Sequence, residues 1–343
     1  MTNRVKLFLG AYVNSTNAQN LNCLAIAKYL DKSQFDITVL GLYSKPTIKI
    51  EGVKVFRCIW PHRIMVYWVY FWNIVKADVV YLPKGELLGF NSFICKLFSK
   101  KSFLTIEGIL DETNFLKAQN KSGLNVLNYF SRFSQVFSIS QYIKEYNFKK
   151  HGLISEDKIL ELGTESQLFL NTTYKFAPIT KVILIANNYS KKGVEDFIAL
   201  ARYYSQLEFH LVGEGKKIEN HLPNLIRHSK LSQDELSELL KDMQLHIFPS
   251  RSEGFPKVIL ETACAGVPSL VYADYGANHW IDNYQNGFVV QTLDEMKVVI
   301  EDLLSNKELL NQISKNAVQL GLSFDWKLKI KVWQEVILAL TSK

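Results

Sequence analysis

Glu253 and Glu261 stand with seven residues between them in the run Phe248-Pro249-Ser250-Arg251-Ser252-Glu253-Gly254-Phe255-Pro256-Lys257-Val258-Ile259-Leu260-Glu261. The apolar stretch before it ends at Pro249-Ser250, and Pro256 suits the first position of a helix, where its missing N–H costs nothing. Gly266 and Pro268 stop that helix. The pattern therefore places Glu253 at a strand-to-helix mouth and Glu261 about one and a half turns inside the helix. Two carboxylates so placed can accept hydrogen bonds from a polyhydroxylated ligand, while the helix N-terminus favours phosphate. Two solvated glutamates satisfy the same spacing, so the pair alone leaves both readings open.

Other polar groups stand at similar junctions. Lys191-Lys192-Gly193 lies between a strand-like run and a helical one, where a lysine either meets phosphate or faces solvent. Gly213-Glu214-Gly215 follows an apolar run and reads as a plain turn or as the lining of a pocket. Glu107 ends the run Ser102–Ile106, either as a capped loop carboxylate or as a group facing a ligand. The seven histidines show no metal-type spacing, and no divalent ion is expected as a cofactor.

The elements that must hold these residues alternate. Val5–Leu9, Asp36–Leu40, Val53–Cys58, Val79–Leu82, Ser102–Ile106 and Gln135–Ile139 read as strands. Leu21–Leu30, Phe90–Phe98, Leu124–Phe133 and Ser140–Phe148 read as helices. The rhythm restarts with strands at Val182–Ala186, Phe209–Val212, Leu245–Phe248 and Pro268–Tyr272, and helices at Gly193–Ser205, Ser232–Lys241 and Val258–Ala265. Such alternation predicts an α/β chain of two doubly wound, Rossmann-like domains, residues 1–165 and 166–325, facing across a cleft. Glu165–Lys181 resembles a linker. A last helix, Phe324 to Leu340 with Trp326 and Trp333, crosses back so that 326–343 joins the first domain.

Hydrophobic residues make up 48% of the 343, enough for two cores rather than a disordered chain. Four scattered cysteines suit a reducing, cytoplasmic setting. Ile64 to Val75 is too short for a span, which needs about 20 residues. The net charge of +7 is uneven: residues 1–165 carry 21 Lys and Arg against 13 Asp and Glu, the rest 19 against 20. A basic first half either faces an anionic partner or is simply soluble. No recognition motif supports nucleic acid. Trp60 to Asn73 is unusually aromatic and reads as a core helix or as one lying in a lipid interface, since Trp and Tyr favour headgroup depth. Its basic flanks agree with peripheral contact with the inner face of an anionic membrane.

Taken with its neighbours, the two-glutamate run resembles the donor-site signature of family-four retaining glycosyltransferases of the GT-B fold. The matching positions are Pro249-Ser250, Glu253-Gly254-Phe255, Leu260-Glu261-Thr262, Cys264, Gly266 and Pro268. Lys192-Gly193 is similar to that family's Lys-Gly pair, and Leu211-Val212-Gly213-Glu214-Gly215 to its Val-Gly-x-Gly turn. Leu162-Gly163-Thr164-Glu165 with Phe169 is similar to the segment entering the second domain, Ser140 to the serine before it, and Asn286-Gly287 to a later pair. The resemblance is strong from about residue 135 to 290. It departs at Asn187, where an arginine is usual, so that either one of two phosphate-neutralising charges is missing or Lys191 substitutes for it; at Asn17-Ala18 in place of two glycines; and at Glu107 in place of a histidine. His279 stands where a glutamate is common.

The resemblance implies transfer of a sugar from a nucleoside-diphosphate sugar, UDP by default, to a hydroxyl with retention, by a front-side route. Glu253, Lys192 and Glu107 are the catalytic candidates. Glu261, Gly254, Phe255, Pro256, Lys191, Asn187, Gly213 and Gly215 are the donor-binding ones, with Glu261 on the ribose. Asn17 and Gln19 are assigned to the acceptor, a glycan or polyprenyl-pyrophosphate-linked oligosaccharide of cell-surface polysaccharide assembly. No Asp-x-Asp occurs, so the metal-holding motif of the other large glycosyltransferase fold is missing. Rival readings are a nucleotide-sugar epimerase of the same fold and a non-catalytic partner subunit.

Overall fold

The computed structural model describes residues 4–83, 87–112, 116, 126–171, 179–186, 189, 191–215 and 222–342. The chain divides into two compact units, Met1–Leu162 with Trp326–Lys343, and Gly163–Asp325.

The first unit runs β1 (Val5–Tyr12), α1 (Ala18–Tyr29), β2 (Phe35–Leu42), β3 (Val53–Cys58), α2 (His62–Lys76), β4 (Val79–Tyr81), α3 (Leu88–Leu97), β5 (Lys101–Ile106), α4 (Val126–Phe130), β6 (Gln135–Ser138) and α5 (Gln141–His151). Its six strands lie parallel in the order β3-β2-β1-β4-β5-β6. Leu7, Phe8 and Leu9 of β1 and Val79, Val80 and Tyr81 of β4 are wholly buried, as strands covered on both faces must be. Asn17 caps α1 by accepting from the Asn20 N–H at 2.8 Å, and Ser140 caps α5 through the Ile143 N–H at 3.2 Å.

The second unit runs α6 (Ser166–Phe169), β7 (Lys181–Ile185), α7 (Val194–Tyr203), β8 (Glu208–Val212), β9 (Leu225–His228), α8 (Gln233–Leu240), β10 (Leu245–Phe248), α9 (Lys257–Cys264), β11 (Ser269–Tyr272), β12 (Phe288–Val290), α10 (Leu293–Ser305) and α11 (Lys307–Ser323). Its parallel sheet has the order β12-β11-β10-β7-β8-β9. Both sheets thus share one winding, in which the strand order reverses beside the first strand of the unit. A reciprocal capping box of Ser232 and Glu235 opens α8. Gly321 of α11 approaches α9 so closely that a Cβ there would lie 2.6 Å from Cys264 Sγ.

The final helix, α12 (Trp326–Thr341), packs in the first unit. Trp333 is fully buried, donates its indole N–H to the Glu161 carbonyl at 2.9 Å and meets the rings of Tyr81 and Phe103. The expected linker Glu165–Lys181 is corrected over its first residues. Ser166–Phe169 is helical, and Phe169 belongs to the core formed by Ile183, Leu240 and Val267. Asn171 and Thr172 beyond it tempted a linker reading; residues 172–178 lie outside those described. All four cysteines are buried, and none of them forms a disulfide.

Candidate active site

Order reversal in the second sheet brings the loops after β7 and β10 side by side. The contact is intimate: Gly193 has φ +68°, and a Cβ on it would stand 2.0 Å from the Pro249 carbonyl oxygen. Only glycine takes up both the left-handed backbone and the space. Lys192, just before it, is carried by this contact onto Glu253 from the other loop. Its Nζ donates to Glu253 Oε1 at 2.5 Å and Oε2 at 2.6 Å. The Ser250 hydroxyl bridges the Glu253 carboxylate and the Lys191 carbonyl, the latter at 3.2 Å. A cation and a carboxylate therefore meet at the carboxyl ends of the strands, where order reverses and such sheets bind ligands.

The floor of this site is unusual. His246 of β10 is fully buried, and burial, with the Lys192 charge adding to it, pushes its imidazole down to about 3. Its Nδ1 faces Ser269 Oγ at 2.9 Å, while its Nε2 has no hydrogen-bond partner among the described residues. The Tyr275 hydroxyl is buried without a partner there too. Burial first, then the Glu253 and Asp274 charges, hold that phenol well above its usual range. A neutral imidazole under the ammonium adds no competing positive charge.

Glu261 lies on the second turn of α9. Burial raises its carboxyl above the usual range, opposed by the Lys257 charge and a hydrogen bond with Gln233. Pro256 is buried and stands at the N-cap position of α9, where its side chain offers no capping hydrogen bond. Phe255 does not stand alone: its ring packs on Trp280 at 4.9 Å and Phe324 at 6.1 Å, so it fastens the Glu253 loop to the body of the unit. Gly254 is half-buried, and Lys191 is exposed.

Gly213 and Gly215 serve a neighbour that sequence reasoning missed. Tyr189 donates to the Gly213 carbonyl at 3.1 Å, and a Cβ on Gly215 would fall 2.2 Å from the Tyr189 ring. The turn is thus glycine-rich so that an aromatic ring can lie on it. Nothing in the spacing of Tyr189 from Lys192 announces that. Ser250, by contrast, stands inside the signature and was legible as part of it. Asn187 lies outside the described residues.

In the first unit, Asn17, Ala18, Gln19, Glu107 and Gly108 line a concavity of about 420 Å³. It too sits where strand order reverses, since Gln19 Nε2 donates to the Pro83 carbonyl just past β4 at 2.9 Å. Glu107 accepts from Asn22 Nδ2 at 3.1 Å and from the Thr105 hydroxyl at 3.4 Å. Thr105 Oγ1 lies 2.6 Å from the buried Tyr81 hydroxyl. The expected catalytic carboxylate and the two expected acceptor residues thus share one hollow. Asn17 also spends its side-chain oxygen on capping α1.

Two doubly wound units of this strand order define the GT-B fold. Residues 175–320, within the second unit, match the sequence model "Glycosyl transferases group 1". An uncharacterized glycosyltransferase of Methanocaldococcus jannaschii is 25% identical over 217 residues, covering 59% of this chain and 60% of the relative. The N,N'-diacetylbacillosaminyl-diphospho-undecaprenol alpha-1,3-N-acetylgalactosaminyltransferase of Campylobacter jejuni is 28% identical over 153 residues, or 42% of this chain and 40% of the relative. The chain spans about half the length of the curated relatives it matches. The crystal structure of Anabaena HepE in complex with UDP and glucose superposes with a TM-score of 0.76 at 17% identity, over 99% of this chain and 100% of that one.

Proposed function

We propose that the protein transfers a sugar from a nucleoside-diphosphate sugar to an acceptor hydroxyl with retention of configuration. The observation that carries this reading is the Lys192–Glu253 pair at the reversal point of the second sheet. Lys192 meets the pyrophosphate as negative charge grows on the leaving group, backbone N–H groups and the N-terminus of α9 share that charge, and no divalent ion is needed. Glu253, held by Ser250, accepts from donor-sugar hydroxyls, and Glu261 from the ribose. The leaving phosphate oxygen takes the acceptor proton. UDP is favoured as the nucleotide, in keeping with the UDP held by HepE. Glu107, Asn17 and Gln19 face the acceptor. The Campylobacter relative's name gives it a diphospho-undecaprenol-linked acceptor, which supports a lipid-linked oligosaccharide of cell-surface polysaccharide assembly here.

Incubation with a panel of sugar nucleotides, followed by chromatography of the nucleotide products, tests this. Slow donor hydrolysis releasing nucleoside diphosphate, undiminished by excess EDTA, is expected. An epimerised sugar nucleotide with sugar and nucleotide still joined would make the protein an epimerase. No turnover and no binding of any nucleotide would leave a non-catalytic subunit.

A further inference from the structure

Helix α2 carries two apolar stripes rather than one. Val66, Val69, Tyr70, Asn73 and Ile74 form the buried stripe, which already supplies the core contact an amphipathic helix needs. Ile64, Tyr67, Trp68 and Trp72 repeat at the same helical spacing on another face, and are 62%, 44%, 55% and 49% exposed. Helix α3 extends this face. Phe93 and Leu97 are each 61% exposed, and edge-to-face contacts of Tyr67 with Phe90 and of Phe71 with Phe98 join the two helices. Singly exposed apolar residues are ordinary, but a continuous aromatic patch marks an interaction surface.

The charges around the patch select its partner. The two helices, His62–Lys76 and Leu88–Leu97, carry three Lys and Arg and not one Asp or Glu. Arg63, Lys76 and Lys96 are exposed on the same two helices, and Lys76 Nζ lies 5.4 Å from the centre of the Trp72 ring. A protein partner for such a face would have to be both apolar and acidic. An anionic bilayer offers both at once, with headgroup phosphates for the cations and an interface depth that Trp and Tyr favour. No helix among the described residues is long and apolar enough to cross a membrane, so the contact is with a surface.

We propose that the exposed faces of α2 and α3 seat this protein on an anionic lipid bilayer, with Trp68, Trp72 and Phe93 entering the interface and Arg63, Lys76 and Lys96 meeting phosphate. The full chain is sedimented with phosphatidylcholine vesicles and with vesicles that also contain phosphatidylglycerol. Binding to the second kind at low salt is expected, with a blue shift of tryptophan emission. Each lost cation weakens binding about fivefold, so Arg63→Ala with Lys96→Ala weakens it roughly twenty-five-fold at low salt. That difference closes as salt rises, because the attraction is screened within a Debye length. Trp68→Ser with Trp72→Ser loses at least about tenfold at any salt, since the apolar anchor is not screened.

Failure of the parent to bind anionic vesicles at low salt overturns the proposal. So does equal binding by the tryptophan variant, or a concentration-dependent dimer that this variant abolishes while vesicle binding is unchanged. If circular dichroism shows the tryptophan variant unfolded, the exposed Arg63 and Lys96 pair carries the test alone: unchanged low-salt binding by that variant overturns the proposal. Sedimentation needs no sugar nucleotide, so its outcome is independent of the donor reading.

Discussion

Replacing Lys192 by alanine should destabilise the second unit, and a further Glu253→Gln change should restore part of the loss. The Glu253 side chain is 8% exposed and that of Lys192 25%. Without the ammonium, a nearly dry carboxylate is left with the Ser250 hydroxyl. Breaking a fully buried pair costs about 3–5 kcal/mol, and the partial exposure of Lys192 lets water return, so about 2–3 kcal/mol is expected. For a unit of roughly 160 residues, that lowers the midpoint by about 5–10 °C. Glu253→Gln alone keeps the shape and leaves a cation that can reach water, at a cost of about 1 kcal/mol. In the double variant neither charge is stranded, and the loss should return to about 1 kcal/mol. Calorimetry of parent, both singles and the double closes the cycle. Losses that simply add would refute the coupling of the two charges. Turnover separates stability from chemistry: the double variant should regain its fold while donor hydrolysis stays as low as in Lys192→Ala, because the charge at the pyrophosphate is still missing.

Glu261→Ala should weaken nucleoside-diphosphate binding by about 1.5–3 kcal/mol, the range for a hydrogen bond to a charged group, and titration calorimetry reads the loss directly. Gly193→Ala should fail to fold normally, since its Cβ would lie 2.0 Å from the Pro249 carbonyl oxygen at φ +68°, and circular dichroism with a thermal scan shows it. The pH dependence of stability has a definite sign. His246 is depressed to about 3 in the folded chain, so below an unfolded value of about 6.5 only the unfolded state takes up its proton. Stability should therefore fall by about 1.4 kcal/mol per pH unit from near 6.5 downward on account of His246 alone. His210 and His228 are lowered too, chiefly by burial, and steepen the fall. Urea midpoints at successive pH values check this, and His246→Gln should flatten the slope.

How far the sequence revealed this molecule depends on what each element had to hide. Strands β1 and β7 are covered on both faces, so Leu7–Leu9 and Val182–Ile185 appear as unbroken apolar runs and were legible. Strand β9, Leu-Ile-Arg-His at the sheet edge, buries too little to leave such a trace. The expected helix at Leu124–Phe133 is seen only as Val126–Phe130, its start lying outside the described residues. In the Trp60–Asn73 run both faces are apolar, and periodicity could not say which one the core takes. At the site, Glu253 and Lys192 were legible because their types and setting imply chemistry. Tyr189 and Tyr275 were not, since their contacts come from loops far apart in the chain.

The cysteines have a practical consequence. Cys23, Cys58 and Cys95 lie in the first unit and Cys264 alone in the second, all at most 1% exposed. Burial pushes the Cys95 thiol up to about 11 and that of Cys264, aided by the Glu261 and Asp325 charges, up to about 12. Neither has appreciable thiolate near neutral pH, so alkylating reagents wait for the chain to open. The mass added in a pulse of such a reagent then reads which half of the molecule has breathed: up to three labels from one unit, a single label from the other. The same silence leaves a cysteine introduced at position 72 as the one reactive handle for a probe of bilayer depth.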